Sequence, residues 1–309
     1  MLSMDCSKMF FVLNDEEWFE GMKYNIPPVH VLPMRFRNGE LAVHFSENVA
    51  RKEVVLLKRF SQNIHEDLFE LLQSVDTLKR MGAKTLTLLL PYYPYARQDH
   101  STINESKGAL LLAKMLANLG VNKIITIDMH APEQLHNFPL KVVNLTTERF
   151  WANHLRSLGY DSNKIQIIAA DKSAAPRAQQ IASSLNCSWG YANKQRDTDG
   201  EVQITEVFGG SSEKQTFLVD DVIDTGRTII AAAQALRKLS PHPIIACATH
   251  CYPTTHLLPQ LISSGISKLI TTDTIKVRPE EIDFGRSFVK DLLSPLKTFH
   301  LLQQVLQNE

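Results

Sequence analysis

Short apolar runs alternate with amphipathic stretches of helical period along the whole chain, and this alternation restricts the fold more than any other feature. In the first half it predicts strands over 29–36 (VHVLPMRF), 41–45 (LAVHF), 53–60 (EVVLLKRF), 84–92 (KTLTLLLPY) and 123–130 (KIITIDMH). Helices are expected over 64–81 and 106–119. The first of them places Leu68, Leu71, Leu72, Val75, Leu78 and Met81 at spacings of three and four. The second half repeats the scheme, with strands near 164–170, 188–194, 202–208, 216–221, 243–250 and 268–273. Its helices are expected over 147–158, 174–185, 227–239, 254–264 and 287–307. The pattern predicts an α/β protein with mainly parallel sheets covered by helices.

At 309 residues the chain exceeds the usual limit of one hydrophobic core, so two domains of about 150 residues are expected. The boundary is placed between 147 and 148, giving domains 1–147 and 148–309, with the last helix free to pack back on the first domain. The halves share an order of elements and have acids or histidine at strand ends (Asp128 and His130; Asp220 and Asp221), but little sequence. This is a weak internal duplication. Lysine plus arginine balance aspartate plus glutamate at 33 each, which removes the electrostatic case for a nucleic-acid or membrane-surface binder. No nucleic-acid or membrane partner is therefore expected, and any anionic ligand must be bound locally. No apolar run approaches the roughly 20 residues that cross a bilayer. The start MLSMDCSKMFFVLNDEEW carries acids where a signal peptide needs a basic end, so a cytoplasmic location is expected.

Cys6, Cys187, Cys247 and Cys251 do not make a disulfide framework in so large a chain. Cys247, His250 and Cys251 resemble metal ligands only briefly, because IIACATHC reads as a buried strand. There the two cysteines would lie about 13 Å apart at ~3.3 Å per residue, with His250 on the opposite face. Packing is the expected role.

The sharpest local signal is FLVDDVIDTGRTIIAAAQAL, residues 217–236. An apolar strand ends in Asp220 and Asp221, a tight turn holds Asp224, Thr225 and Gly226, and a helix opens at about Arg227 or Thr228. A turn running into a helix start aims backbone N–H groups and the positive helix end at one point, which suits a monoester phosphate. Thr225 and Thr228 add hydroxyl donors, while Asp220 and Asp221 could hold ribose hydroxyls directly or through a metal. The bland alternative is a plain connection with threonine as N-cap.

In the first half, PYYPYARQDH (91–100) offers Arg97 as a bidentate grip for phosphate oxygens, with Gln98 and Asp99 as hydrogen-bonding partners for a base or ribose. KIITIDMHAPEQLHNFP (123–139) follows and places His130 at a strand end. Together with the 217–236 segment, these resemble the ATP-site and 5-phosphoribosyl-diphosphate segments of the ribose-phosphate pyrophosphokinase family. RFRNGE (35–40) resembles that family's RFSDGE element, and KQR (194–196) resembles the basic pair of its mobile catalytic loop. The resemblance covers roughly residues 30–275.

The resemblance implies two phosphoribosyltransferase-like domains and transfer of a pyrophosphoryl group from MgATP to the C1 hydroxyl of ribose 5-phosphate. It implies ATP binding by Phe36, Asn38, Glu40, Arg97, Gln98, Asp99 and His130, with Phe36 stacking on adenine across a subunit interface. Ribose 5-phosphate would be held by Asp220, Asp221, Asp224, Thr225, Gly226, Arg227 and Thr228. Lys194 and Arg196 would be catalytic, and Asp171, Lys172, Ser173 and Ala174 would form the pyrophosphate loop. Magnesium would be held through His130 and Asp171, and the chain would form a dimer-based homo-oligomer extending to a hexamer. Two departures stand out. Relatives carry two glycines where Ser173 and Ala174 stand, and pyrophosphokinases usually place glycine where this chain has Arg227. A basic residue there is common in phosphoribosyltransferases, which keeps that activity as an alternative, beside a non-catalytic regulatory paralogue.

Overall fold

The structure, a computed structural model, describes residues 9–13, 29–98, 104–196, 202–252, 257–277 and 293–296. The chain divides between Leu145 and Thr146 into two compact units, and Thr274–Lys276 returns to the first.

The first unit is built on strands β1 (Met9–Leu13), β2 (Val29–Arg35), β3 (Leu41–Phe45), β4 (Glu53–Leu57), β5 (Thr85–Leu89), β6 (Lys123–Ile127) and β7 (Lys141–Leu145). Among the described residues they form one sheet in the order β3-β2-β1-β4-β5-β6-β7. Every pairing is parallel except β2 with β3, which form an antiparallel hairpin. The central strands read as continuous apolar runs because helices cover them. Helix α1 (Ile64–Arg80) buries Leu71, Val75 and Leu78 completely, each contributing about 1.5–3 kcal/mol. The second helix, α2, spans Gly108–Asn118. Residues 274–276 add a parallel bridge from Ile275 to Phe60 and a 2.8 Å bond from the Lys276 N–H to the Phe60 carbonyl.

The second unit holds β8 (Ile165–Ala169), β9 (Ser188–Arg196), β10 (Val202–Phe208), β11 (Gln215–Ile223), β12 (Ile244–Cys251), β13 (Ile266–Thr272) and β14 (Leu293–Leu296). Its helices are α3 (Glu148–Ser157), α4 (Ala175–Leu185), α5 (Arg227–Leu239) and α6 (Leu257–Ser263). The sheet order is β10-β9-β8-β11-β12-β13-β14, with β9 and β10 the antiparallel pair. Counted from its own first strand, this is the same order as in the first unit. The duplication that is weak in sequence is therefore complete in the strand order of the described residues.

Three strands escape the periodicity: β1, β7 and β14, of five, five and four residues. The helix expected over 287–307 is corrected in part, because Leu293–Leu296 is a strand paired parallel with β13. Pro295 supplies the reason: proline lacks the N–H and clashes with the preceding helical turn, yet an edge strand accepts it. The rest of that expected helix lies outside the described residues. Cys247 packs with Trp151, Phe217 and Ile270, and Cys251 with Leu218, Leu236 and Leu257. Burial pushes both thiols up, that of Cys251 to about 12, so these cysteines behave as core residues.

Candidate active site

In the second unit the strand order reverses between β8 and β11. Ligands of open α/β sheets bind outside the carboxyl ends of the strands at such a point. The candidate residues gather there. Asp171 follows β8, Asp220 and Asp221 lie near the end of β11, and the turn 224–226 leads into α5.

Gly226 occupies the N-cap position of α5 with φ +75, in the left-handed region, and offers no side-chain cap. The left-handed φ demands glycine, and a Cβ there would also have to push aside the tip of Leu257, whose Cδ1 would lie 2.3 Å away. The reading of threonine as an ordinary cap is thereby set aside. The Gly226 carbonyl accepts from the Ile230 N–H at 2.9 Å, and the N–H groups of the first turn point out of the helix start with no side chain of the cap to absorb them. Thr225 and Arg227 are exposed, while Asp224 and Thr228 are half-buried.

The carboxylates have divergent environments. Asp220 is buried, and burial, followed by the charges of Asp221 and Asp171, pushes its carboxyl well above the usual range. Its Oδ1 accepts the Asp221 N–H at 2.9 Å, and Asp221 Oδ1 accepts the Val222 N–H at 2.8 Å. For Asp171, burial works upward, but hydrogen bonds from Lys194 and Ser173, the lysine charge and the Ala174 N–H outweigh it and hold the group below the usual range. Lys194 comes from β9 and forms an ion pair with Asp171 Oδ2, while Ser173 Oγ and the Ala174 N–H, at 3.1 Å, both donate to Oδ1. Lys172 is exposed. Ala174 has φ −83, an ordinary right-handed value, so its place in the loop needs no glycine. Arg196 closes β9 next to Val202 of β10, and its side chain lies outside the described residues, as do 197–201.

In the first unit, Phe36, Asn38 and Glu40 form the tip of the β2–β3 hairpin. The Phe36 N–H donates to the Glu40 carbonyl at 2.9 Å, and Asn38 Oδ1 accepts the Glu40 N–H at 3.1 Å. Phe36 is 53% exposed, which excludes a core role for it within this unit. Arg97 is exposed, and Asp99 lies outside the described residues. Gln98 has a duty that the sequence does not announce: its Oε1 accepts the Gly108 N–H at 2.8 Å and Ser106 Oγ at 3.1 Å, capping α2 across ten residues. That leaves its amide N–H groups as donors for a ligand. The preceding Tyr95 has φ +62, and its hydroxyl meets His65 Nδ1 at 3.1 Å. His130 is exposed just past β6, after a buried Asp128 whose φ of +41 is unusual for a residue with a side chain.

The counterpart of the phosphate turn in this unit is the β4–α1 connection, and it is filled from within. Asp67 Oδ2 accepts the Ser61 N–H at 2.6 Å and Ser61 Oγ at 2.7 Å. Lys58 Nζ donates to Asp67 Oδ1 at 2.8 Å and to Glu70 Oε2 at 3.1 Å, all in a buried setting. The sequence reading passed over this cluster. Its signal was available: EVVLLKRF ends in two cations where the phosphate-turn strand ends in two acids, and acids at 67 and 70 share one helix face.

The class that this fold and turn define is the phosphoribosyltransferase type, present here in two copies of one topology. The N-terminal domain of ribose phosphate pyrophosphokinase matches residues 21–120, and the phosphoribosyl transferase domain matches 144–280. The ribose-phosphate pyrophosphokinase of Agrobacterium fabrum is 31% identical over 253 residues, 82% of this chain and 81% of that protein. That of Aquifex aeolicus is 31% identical over 252 residues, covering 81% and 80%. The crystal structure of phosphoribosylpyrophosphate synthetase from Mycobacterium smegmatis superposes with a TM-score of 0.84 over 98% of this chain and all of that one; at 24% identity it shows the fold. The chain belongs to the ribose-phosphate pyrophosphokinase family of transferases.

Proposed function

We propose that this chain transfers the pyrophosphoryl group of ATP to the C1 hydroxyl of ribose 5-phosphate, giving 5-phosphoribosyl 1-diphosphate and AMP. The observation that carries this is the meeting, at one sheet edge, of a glycine-capped phosphate turn with Asp171, Asp220, Asp221 and Lys194, in a chain of this family. The first-turn N–H groups of α5, Thr225, Thr228 and Arg227 bind the 5-phosphate. Asp220, Asp221 and Asp224 orient the ribose hydroxyls, which places C1 for attack. The C1 oxygen forms a bond to the β-phosphorus, the bond from that phosphorus to the α-phosphate oxygen breaks, and the hydroxyl proton passes to solvent. Such a transfer needs positioning and charge neutralisation rather than covalent help. Lys194 supplies positive charge where the leaving oxygen develops negative charge, and Arg196 is assigned the same role by its motif.

The donors suit magnesium. Three carboxylates interact at this edge, and Lys194 is paired with one of them, Asp171. Magnesium also keeps several waters and takes one or two carboxylates plus phosphate oxygens. Asp171 would hold it in the second unit, where it would supply charge neutralisation for phosphate oxygens, and the family pattern assigns His130 to metal and ATP binding. Phe36, Asn38, Glu40, Arg97, Gln98 and Asp99 are assigned to ATP, with Phe36 reaching a neighbouring copy in a homo-oligomer. Among the described residues no helix is long and apolar enough to cross a membrane. A cytoplasmic location fits the two proposed substrates.

The purified chain should form AMP from ATP only when ribose 5-phosphate is present, with no nucleobase required. AMP-free turnover, or an absolute need for a nucleobase, would point to the transferase alternative. Phe36→Ala should raise the Michaelis constant for ATP about tenfold, the order of one base–aromatic stack, without lowering Tm. A normal Michaelis constant would remove Phe36 from the nucleotide site.

A further inference from the structure

Ser173 stands where the family resemblance places a glycine, and it brings a hydroxyl into the loop. That hydroxyl donates to Asp171 Oδ1, which also accepts the Ala174 N–H at 3.1 Å. The other oxygen, Oδ2, is held by Lys194. Asp171 is itself 6% exposed, so its carboxylate has little surface left for anything else. A carboxylate offers about four lone-pair positions, and three are engaged here by donors from its own chain.

We propose that Ser173 is a positioning residue that commits one oxygen of Asp171 to the loop, so that Lys194 and an incoming divalent cation compete for the other. The inference rests on the proposed function, in which Asp171 faces the metal. Glycine at position 173 would leave Oδ1 with only the loop N–H, and the carboxylate could then hold a cation on Oδ1 while Lys194 kept Oδ2. With serine, the open lone pair of Asp171 is on Oδ2 beside the Lys194 ammonium, so an arriving cation meets that like charge at the same oxygen. The hydrogen bond from the Ser173 hydroxyl is charge-assisted and must also be given up before Oδ1 can take a cation. The device therefore lowers cation affinity in the empty site and ties release of the catalytic lysine to arrival of the metal.

Manganese is a suitable probe because its binding to the purified full chain, without nucleotide, can be read by calorimetry and by its free-ion paramagnetic signal. Ser173→Ala and Ser173→Gly are expected to bind Mn²⁺ on the order of tenfold more tightly than the wild type, the effect of removing one hydrogen bond to a charged group. Ser173→Thr keeps a hydroxyl and should match the wild type. Lys194→Gln removes the competitor and should also tighten binding, even if one of the Ser173 variants does not fold. Unchanged Mn²⁺ affinity in Ser173→Ala and Ser173→Gly overturns the inference, as does a purely structural result of lower Tm with no change in metal binding. Weaker binding overturns it too, because the hydroxyl would then be supporting the metal. Failure of the proposed function is read separately, as absence of AMP formation by the wild type.

Discussion

Lys194→Ala is expected to lower turnover about a hundredfold or more, the typical loss when a preorganised charge aimed at the transition state is removed. Affinity for ribose 5-phosphate should change little, since the phosphate turn at α5 is built from other residues. Lys194 lies on β9, its side chain is 31% exposed, and it is already drawn to the sheet edge by Asp171. A charge held there stands beside the 171–174 loop before any ligand arrives, and its release from Asp171 frees it for the departing AMP. Arg196→Ala should show the same division between turnover and sugar binding. Pre-steady-state measurement of the chemical step, beside direct binding of ribose 5-phosphate, checks both. Near-normal turnover in the two variants would remove the basic pair from the mechanism.

Asp67→Ala should have the opposite signature, a large loss of stability with the chemistry of the folded fraction preserved. The carboxylate of Asp67 accepts from Ser61 through both its N–H and its hydroxyl and pairs with Lys58, whose side chain is 6% exposed. Removing it leaves a buried ammonium paired with Glu70 alone of the two carboxylates. Breaking a buried pair from one side typically costs about 3–5 kcal/mol. For a unit of this size each kcal/mol moves Tm by about 2–4 °C, so a fall of roughly 6–20 °C is expected by calorimetry. A variant melting within about 2 °C of the wild type, well below that range, would show that the pair offsets only its own desolvation. The two ion pairs thus separate by role: the proposed function assigns Lys194–Asp171 at the second unit's sheet edge to the reaction, while Lys58–Asp67 at the matching edge of the first holds a connection closed.

Much of this protein was determined by its sequence because the signals are local. Apolar period gave α1 and α5 almost to the residue, since a helix against a sheet must repeat its apolar face every three or four positions. The turn at 224–228 was legible because Gly226 is required by a left-handed φ and because acids and threonines cluster beside it. Phe36, Gln98, His130 and Asp171 could be named from motifs, but not what surrounds them. The pairing of Lys194 with a residue 23 positions earlier depends on β9 lying beside β8, whereas Gln98 as the cap of α2 and Ser173 on Asp171 depend on how their loops fold. Tertiary structure likewise decided β1, β7 and β14, which become strands by pairing with β4, β6 and β13, and the self-filled connection at Asp67. It also decided the identical strand order of two halves with little sequence in common. Strand order is set by burial and backbone hydrogen bonding, which many unrelated apolar sequences satisfy equally well, whereas each side-chain contact depends on partners that the chain brings together only by folding.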